Sequence, residues 1–247
     1  MKKYTFVLLL VFQISFAQNA FEKGNQLYKS QNYQEAITNY ESILASGKQS
    51  AALYFNLGNC YYKLHKVAPS IYNYEKALQL NPDDNQIQTN LDFARKTTLD
   101  DLKIVPKVGF SKIIKEFTSR YHFDTWAWIS VGFSFIVLLF FVGYYFSETT
   151  VFKRVFFSLM FTTLILLFIS LISGFFEKNK YLNEKPAIIF SEKCALKKES
   201  KLSSKDLLIL HEGTKVFILE SVAGWKKVQL TDESIGWIQD NTFKELR

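Results

Sequence analysis

The run Leu53-Tyr54-Phe55-Asn56-Leu57-Gly58-Asn59-Cys60-Tyr61-Tyr62-Lys63 decides the reading of the N-terminal part of the chain. Moved back by 34 residues, it falls on a second copy of itself: Gly58 on Gly24, Asn59 on Asn25, Tyr62 on Tyr28 and Lys63 on Lys29. The match continues with Ile71 on Ile37, Tyr74 on Tyr40 and Glu75 on Glu41. A fixed period of this length marks a stacked helical repeat. Gly24 and Gly58, followed by the small residues Ala36 and Ser70, let two antiparallel helices approach closely, and aromatic side chains fill the groove between them. Asn81-Pro82-Asp83-Asp84 ends the second unit and caps a further helix. Ile87, Leu91 and Phe93-Ala94 equip that helix to cover the exposed edge. Two units need a neighbour to bury their faces, so the capping helix or a partner has to supply the rest.

The pattern Tyr54-x-x-Leu57-Gly58-x-x-Tyr61, followed by Tyr74 and Pro82, resembles the tetratricopeptide repeat. Lys23-Gly24-x-x-Leu27 with Ala36-x-x-x-Tyr40 resembles it too. The resemblance implies an all-α segment over residues 18–97 whose first helices line a concave, peptide-binding surface. Asn25 and Lys29 are four residues apart and share a helix face, and Asn59 and Lys63 repeat the arrangement. With Asn56 they are the candidate partner-binding residues: amides for a peptide backbone, ammonium groups for a carboxylate. Solvated polar positions of a generic repeat would look the same. In the carboxylate-clamp subclass, two Asn positions resemble Asn25 and Asn56, but the Lys that precedes the first Asn by one turn is here Phe21. That departure argues against a true clamp. Cys60 occupies a small packing position rather than a reactive one.

Hydrophobic residues are 48% of the 247, and they are concentrated in three blocks. The first follows Lys2 and Lys3: Phe6 to Phe16 is a short apolar run, and Ser15-Phe16-Ala17 sets small residues where a signal peptidase cuts. Residues 1–17 therefore read as a secretory signal peptide. The other blocks, 126–146 and 155–176, carry no charge and are each long enough to cross a hydrocarbon core. Trp126, Trp128, Tyr144 and Tyr145 sit at the ends of the first, as interfacial aromatics do. The expectation is a transmembrane helical hairpin with Lys153 and Arg154 in its cytoplasmic loop. The repeats and the C-terminal segment then lie on the exported side of an inner membrane. Residues 98–125 link the repeats to the first span. Within them, 111–121 read as a short amphipathic helix with Ile113, Ile114 and Phe117 on one side. A plain helical linker is favoured there over one lying on the membrane surface.

After the second span the period changes. Residues 187–190, 214–220, 225–230 and 234–238 alternate as short strands, with a 3₁₀ turn expected near Thr242-Phe243. Leu210-x-x-Gly213-Thr214-x-Val216, Gly224-Trp225-x-x-Val228 and Gly236-Trp237-Ile238 resemble the bacterial SH3 family, which implies a small all-β barrel over 186–247. Lys193, Lys197, Lys198, Lys201 and Lys205 are assigned to a long solvated loop and its flanks.

Two Cys and three widely separated His exclude a disulfide scaffold and a metal cluster of the zinc type. No phosphate-binding glycine loop, nucleophile elbow or carboxylate pair is recognisable, so no enzyme activity, cofactor or metal is expected. The net charge of +7 is spread over every segment, which argues against nucleic acid as a partner. The order of parts (signal peptide, repeats, membrane hairpin, SH3-like domain) resembles the BatE-type proteins of bacterial aerotolerance (Bat) operons. That resemblance implies a scaffold in an envelope stress complex, with membrane proteins carrying von Willebrand factor A domains and other Bat-type proteins as partners. A wall anchor that grips peptidoglycan through the SH3-like domain is the alternative reading.

Overall fold

The computed structural model of the chain describes residues 20–100 and 110–246. The expected signal peptide and residues 101–109 of the linker lie outside these residues. The chain divides into two compact units, one drawn from Met1–Val105 with Lys185–Arg247 and the other from Pro106–Glu184.

In the first unit, residues 20–29 are helical (α1), followed by α2 (Tyr33–Ala45), α3 (Ala51–Lys63), α4 (Val67–Leu80) and α5 (Asn85–Arg95). Ser50 caps α3 by accepting the Leu53 N–H at 3.1 Å. Asp84 caps α5, its Oδ1 accepting the N–H groups of Gln86 and Ile87 at 2.9 and 3.2 Å. A Cβ on Gly58 would lie 2.6 Å from the Tyr74 ring, and a Cβ on Gly24 would collide with Tyr40 in the same way. Hydrogen at this position is thus what lets each pair of helices close over a buried tyrosine.

The period runs past Pro82. Tyr61 donates to the Glu41 carboxylate at 2.6 Å, and Arg95 donates to the Glu75 carboxylate at 2.7 Å, both partners 34 residues on. The helix expected as a cap thus repeats the contacts of a first helix, and among the described residues no second helix pairs with it in this unit.

The C-terminal strands are β1 (Pro186–Ile189), β2 (Lys193–Lys197), β3 (Asp206–His211), β4 (Lys215–Val222), β5 (Trp225–Gln229), β6 (Ile235–Gln239) and β7 (Phe243–Glu245), with a 3₁₀ turn at Asp240–Thr242. All ladders are antiparallel, in the order β3-β2-β6-β5-β4-β1-β7. The barrel expected from the sequence is thus an open sheet, with β3 and β7 as unjoined edges. Its coiling still gathers residues of every strand, from Leu210 of β3 to Phe243 of β7, into one core. Of the lysine-rich loop, Lys198, Lys201 and Lys205 do lie in the exposed connection 198–205, but Lys193 and Lys197 belong to β2 of a β2–β3 hairpin, in which Cys194 and Leu196 point inward while Lys193 and Ala195 alternate with them. Charge at alternate positions disguised a half-buried strand. Lys197 lies almost buried and pairs with Asp206 at 2.6 Å.

The sheet packs on the incomplete edge of the repeats. Ile188 and Leu246, both fully buried, share a core with Ala68, Ile71, Ala77, Leu91 and Ala94. Phe190 meets the Tyr72 ring edge-on at 5.6 Å, and Tyr72 Oη donates to the Glu245 carbonyl at 3.3 Å. Gly213 makes this approach possible: its φ of +87° is left-handed, and a Cβ there would lie 2.9 Å from side-chain carbons of Val67 and Thr98. Glu75, only 8% exposed, is bound on one oxygen by Arg95 and on the other by Lys215 of β4, each at 2.7 Å. Burial by itself would raise the Glu75 carboxyl, but Lys215 and then Arg95 outweigh it and hold it below the usual carboxylate range. Asp100 likewise accepts from the Thr214 hydroxyl (2.6 Å) and the His211 amide (2.7 Å), and faces the His211 ring at 2.7 Å. Burial opposes the ionised form of Asp100, yet these bonds keep its carboxyl low as well.

The second unit holds α6 (Phe110–Thr118), α7 (Phe123–Phe146) and α8 (Thr150–Asn183). α7 and α8 are long and apolar enough to cross a membrane, and few of their residues are buried. α8 has 34 residues, about 51 Å at a rise of ~1.5 Å per residue. It therefore starts before the expected span and takes in Lys153 and Arg154, because no Gly or Pro stops it there. Between the two helices the Ser130 and Ser170 hydroxyls are 2.8 Å apart, and Trp126 packs against Gly174.

Glu75→Gln should destabilise the first unit by about 3 kcal/mol, the lower end of the cost of breaking a buried ion pair, because Arg95 can rehydrate. Glu75 and Asp100 have depressed folded pKa values. Their contribution is complete above the unfolded carboxylate range, about 4, and is lost as pH falls through the folded values. Thermal unfolding of the full chain from pH 7 to 3 should show that decline, and the Gln variant should show a shallower one.

Candidate functional site

The repeats position a groove by the same 34-residue logic that builds the helices. Asn25 Oδ1 accepts two bonds, from Tyr40 Oη at 2.7 Å and from Asn56 Nδ2 at 2.9 Å. One unit later, Asn59 Oδ1 accepts from Tyr74 Oη at 2.7 Å and from Asn90 Nδ2 at 2.9 Å. Each Asn–Asn–Tyr triplet stitches the first helix of one unit to the first helix of the next. Burial pushes the Tyr40 and Tyr74 hydroxyls above their ordinary range, so both stay protonated donors.

A cavity of about 240 Å³ opens above the second triplet, lined by Tyr28, Asn59, Tyr62, Lys63, Tyr74, Asn90 and Phe93. Phe93 is half exposed there and offers an apolar ring to a ligand. A second hollow of about 370 Å³ shares Tyr62 and Lys63 and continues to His65, Lys66, Val67, Ser70 and Thr97. No carboxylate lines either hollow. The surface they make is aromatic, amide-bearing and cationic, suited to an extended chain with acidic groups.

The structure thus brings Asn59 and Lys63 together at one groove. Asn25 and Asn56 form the equivalent seam one unit earlier, with no corresponding cavity lined by them among those described above. Lys29 is exposed on α1 and lines neither hollow. The carboxamide oxygens of Asn25 and Asn59 are committed to the fold, so their chemistry toward a ligand would come from the amide nitrogens. Tyr28, Tyr62, Tyr74, Asn90 and Phe93 were not among the sequence candidates. Asn90 had a signal, since it stands 34 residues after Asn56.

The remaining reactive groups are occupied in other ways. Cys60 and Cys194 are free thiols buried in separate cores. Burial pushes the Cys60 thiol up to about 12 and raises Cys194, so neither is a ready thiolate. His211 is held by Asp100, and no group of metal-binding side chains occurs among the described residues.

Comparison with known proteins gives the groove its relatives. Residues 51–84 match the tetratricopeptide repeat family. This stretch is a tetratricopeptide repeat. Sperm-associated antigen 1 of Rattus norvegicus is 35% identical over 75 residues, 30% of this chain and 8% of that protein. Hsp70-Hsp90 organizing protein 1 of Glycine max is 35% identical over 71 residues, 29% of this chain and 12% of that protein. Hsp70-Hsp90 organizing protein of Triticum aestivum is 36% identical over 61 residues, 25% and 10% of the two chains. The chain thus spans only about a tenth of the length of the curated relatives it matches. The likeness lies in the repeats, and the repeats suit a protein–protein interaction scaffold.

Replacing Asn59 by Ala removes the acceptor for two part-buried donors and should cost about 1–3 kcal/mol. Replacing exposed Lys63 by Ala should stay within about 0.5 kcal/mol. Urea unfolding of the two variants beside the parent protein measures both.

Proposed function

We propose that the chain is a non-enzymatic, membrane-anchored scaffold that holds an extended segment of a partner protein in the groove over Asn59 and Asn90. The observation that carries this reading is the groove itself: a repeat surface whose seam is internally satisfied, yet which leaves Tyr62, Lys63 and Phe93 open to solvent at one hollow. The names of the plant relatives link similar repeats to the organising of other proteins. α7 and α8 support the anchor by length, composition and exposure of their apolar side chains. The shared core of repeats and sheet supports a topology in which both soluble segments lie on one side of the bilayer, as an even number of spans requires. We assign that side to the periplasm.

The sheet serves the scaffold as a brace for the unfinished third unit. Its SH3-like motifs remain compatible with a second contact, but Ile188, Lys215 and Leu246 are spent on the repeats. That use favours the scaffold over the peptidoglycan anchor. Within an envelope complex of the Bat type, the partners would be membrane proteins with von Willebrand factor A domains and other Bat-type proteins.

The test is a photo-reactive residue in place of Phe93 in the full-length protein, cross-linked in intact cells, with partners identified by mass spectrometry. A probe in place of Leu219, an exposed residue of β4, is the comparison. Protein adducts at the groove that fall at least about tenfold with Lys63→Glu, equivalent to roughly 1.4 kcal/mol, support the reading. Protein adducts confined to the sheet position would move the contact out of the groove, and muropeptide adducts there would favour wall anchoring.

A further inference from the structure

We propose that α6 is an interfacial foot, lying in the boundary between lipid headgroups and acyl chains beside the hairpin. The inference rests on the reading of α7 and α8 as membrane spans. Its first support is the shape of the helix. Ile113, Ile114 and Phe117 fall within one arc of α6 and are 63%, 40% and 46% exposed, so their own unit leaves the apolar side uncovered. Lys112 and Glu116 pair at 3.7 Å on the flank of that arc and keep the opposite side polar.

The second support is the fastening. Trp126, in the first turn of α7, is buried, and its indole Nε1 donates to the Thr118 carbonyl at the end of α6 at 2.8 Å. The Phe117 and Tyr121 rings meet the same indole at 5.4 and 5.6 Å. Thr118 Oγ1 donates to Glu177 of α8 at 3.1 Å, and Lys180 approaches the other oxygen of Glu177 at 3.6 Å. The end of α6 is therefore tied to both long helices, at the level where each passes from apolar to charged sequence. That level is the membrane interface.

The occupant follows from this continuity. Between their charged ends the exposed faces of α7 and α8 are apolar, with Phe135 63% and Phe168 56% exposed. A helix tied to their rim, with an uncovered apolar arc and a charged flank, continues the same solvent boundary. An amphipathic helix in this setting buries its apolar side about 5–10 Å into the headgroup region. Arg120, Lys178 and Lys180 sit at the same rim and suit lipid phosphates. The foot would fix the depth and tilt of α7, because Trp126 cannot move without α6. A plain linker explains neither the uncovered arc nor the buried indole that holds it.

The test uses the full-length protein in vesicles of phosphatidylcholine and phosphatidylglycerol. Ile113→Cys and, separately, Phe135→Cys carry a fluorophore, while the buried native thiols stay unlabelled in the folded protein. Quenching is compared for iodide in water, for lipid spin-labelled near the headgroup and for lipid spin-labelled near the chain end. The expected result is strong quenching at position 113 by the shallow label, at least twice that by the deep label, with little effect of iodide. Position 135 should respond most to the deep label. Iodide access at 113 with deep quenching at 135 would overturn the foot and keep the hairpin. Shielding of 113 from all three quenchers would also overturn it, because protein rather than lipid would cover the arc. Iodide access at 135 would remove the membrane reading, and the foot with it.

Discussion

A single buried carboxylate joins three parts of the chain that are far apart in sequence. Glu75 is on α4, Arg95 is on α5, and Lys215 enters from β4, more than a hundred residues later. Neither oxygen of Glu75 can be left bare once desolvated, because an unpaired charge in that position costs several kcal/mol. The two cations therefore set where α5 and the sheet can sit. The apolar contacts of Ile71, Ile188 and Leu246 supply area around this point without specifying its geometry. Asp100, bonded to the His211 amide and the Thr214 hydroxyl, fixes the same junction from the other side.

That junction also explains how so few repeats can stand. In the earlier units a glutamate on the second helix meets a residue of the next first helix: Glu41 with Tyr61, then Glu75 with Arg95. Among the described residues of this unit, no further helix packs beyond α5. The sheet takes up the free oxygen of Glu75 and the apolar edge of α4, so the array ends in β structure. The hollow over Asn59 and Asn90 is left open because the sheet meets the repeats at Ile71, Tyr72 and Glu75, none of which lines it. The first helices keep their concave side, where Asn59, Lys63 and Phe93 meet solvent.

The helical part was legible in the sequence because packing demands particular residues. Gly58 cannot carry a Cβ against Tyr74, so glycine recurs wherever a tyrosine seals the helix pair. The long apolar helices were legible by length and lack of charge. The third unit was half hidden, since the turn at Pro82-Asp83-Asp84 reads as an ending while Asn90 and Arg95 continue the period. β2 was missed because alternating lysines dominate a strand whose buried members are only Cys194 and Leu196. The expected barrel stays open since β3 and β7 end as separate edges. The docking of sheet on repeats left no local trace. Tyr72, Glu75, Asp100 and Lys215 each look like ordinary surface residues within their own segment, and only contacts across the junction shield them from water. For the groove, the polar periodicity pointed to Asn59 and Lys63, whereas the lining tyrosines read as core.

The long interval between the two halves of the first unit bears on how the protein is made. Chains are built from the N-terminus, so α4 and α5 are complete while β4 has yet to be synthesised. At about 5–20 residues per second, the roughly 150 residues between Arg95 and Leu246 take on the order of 8–30 seconds. Throughout that time the edge around Ile71 and Tyr72 lacks its cover, and Glu75 has only one of its two cations. The nascent repeats are therefore a sticky, half-neutralised intermediate, and the last sixty residues close it. Truncation near the C-terminus would cause a folding defect at the opposite end of the gene product.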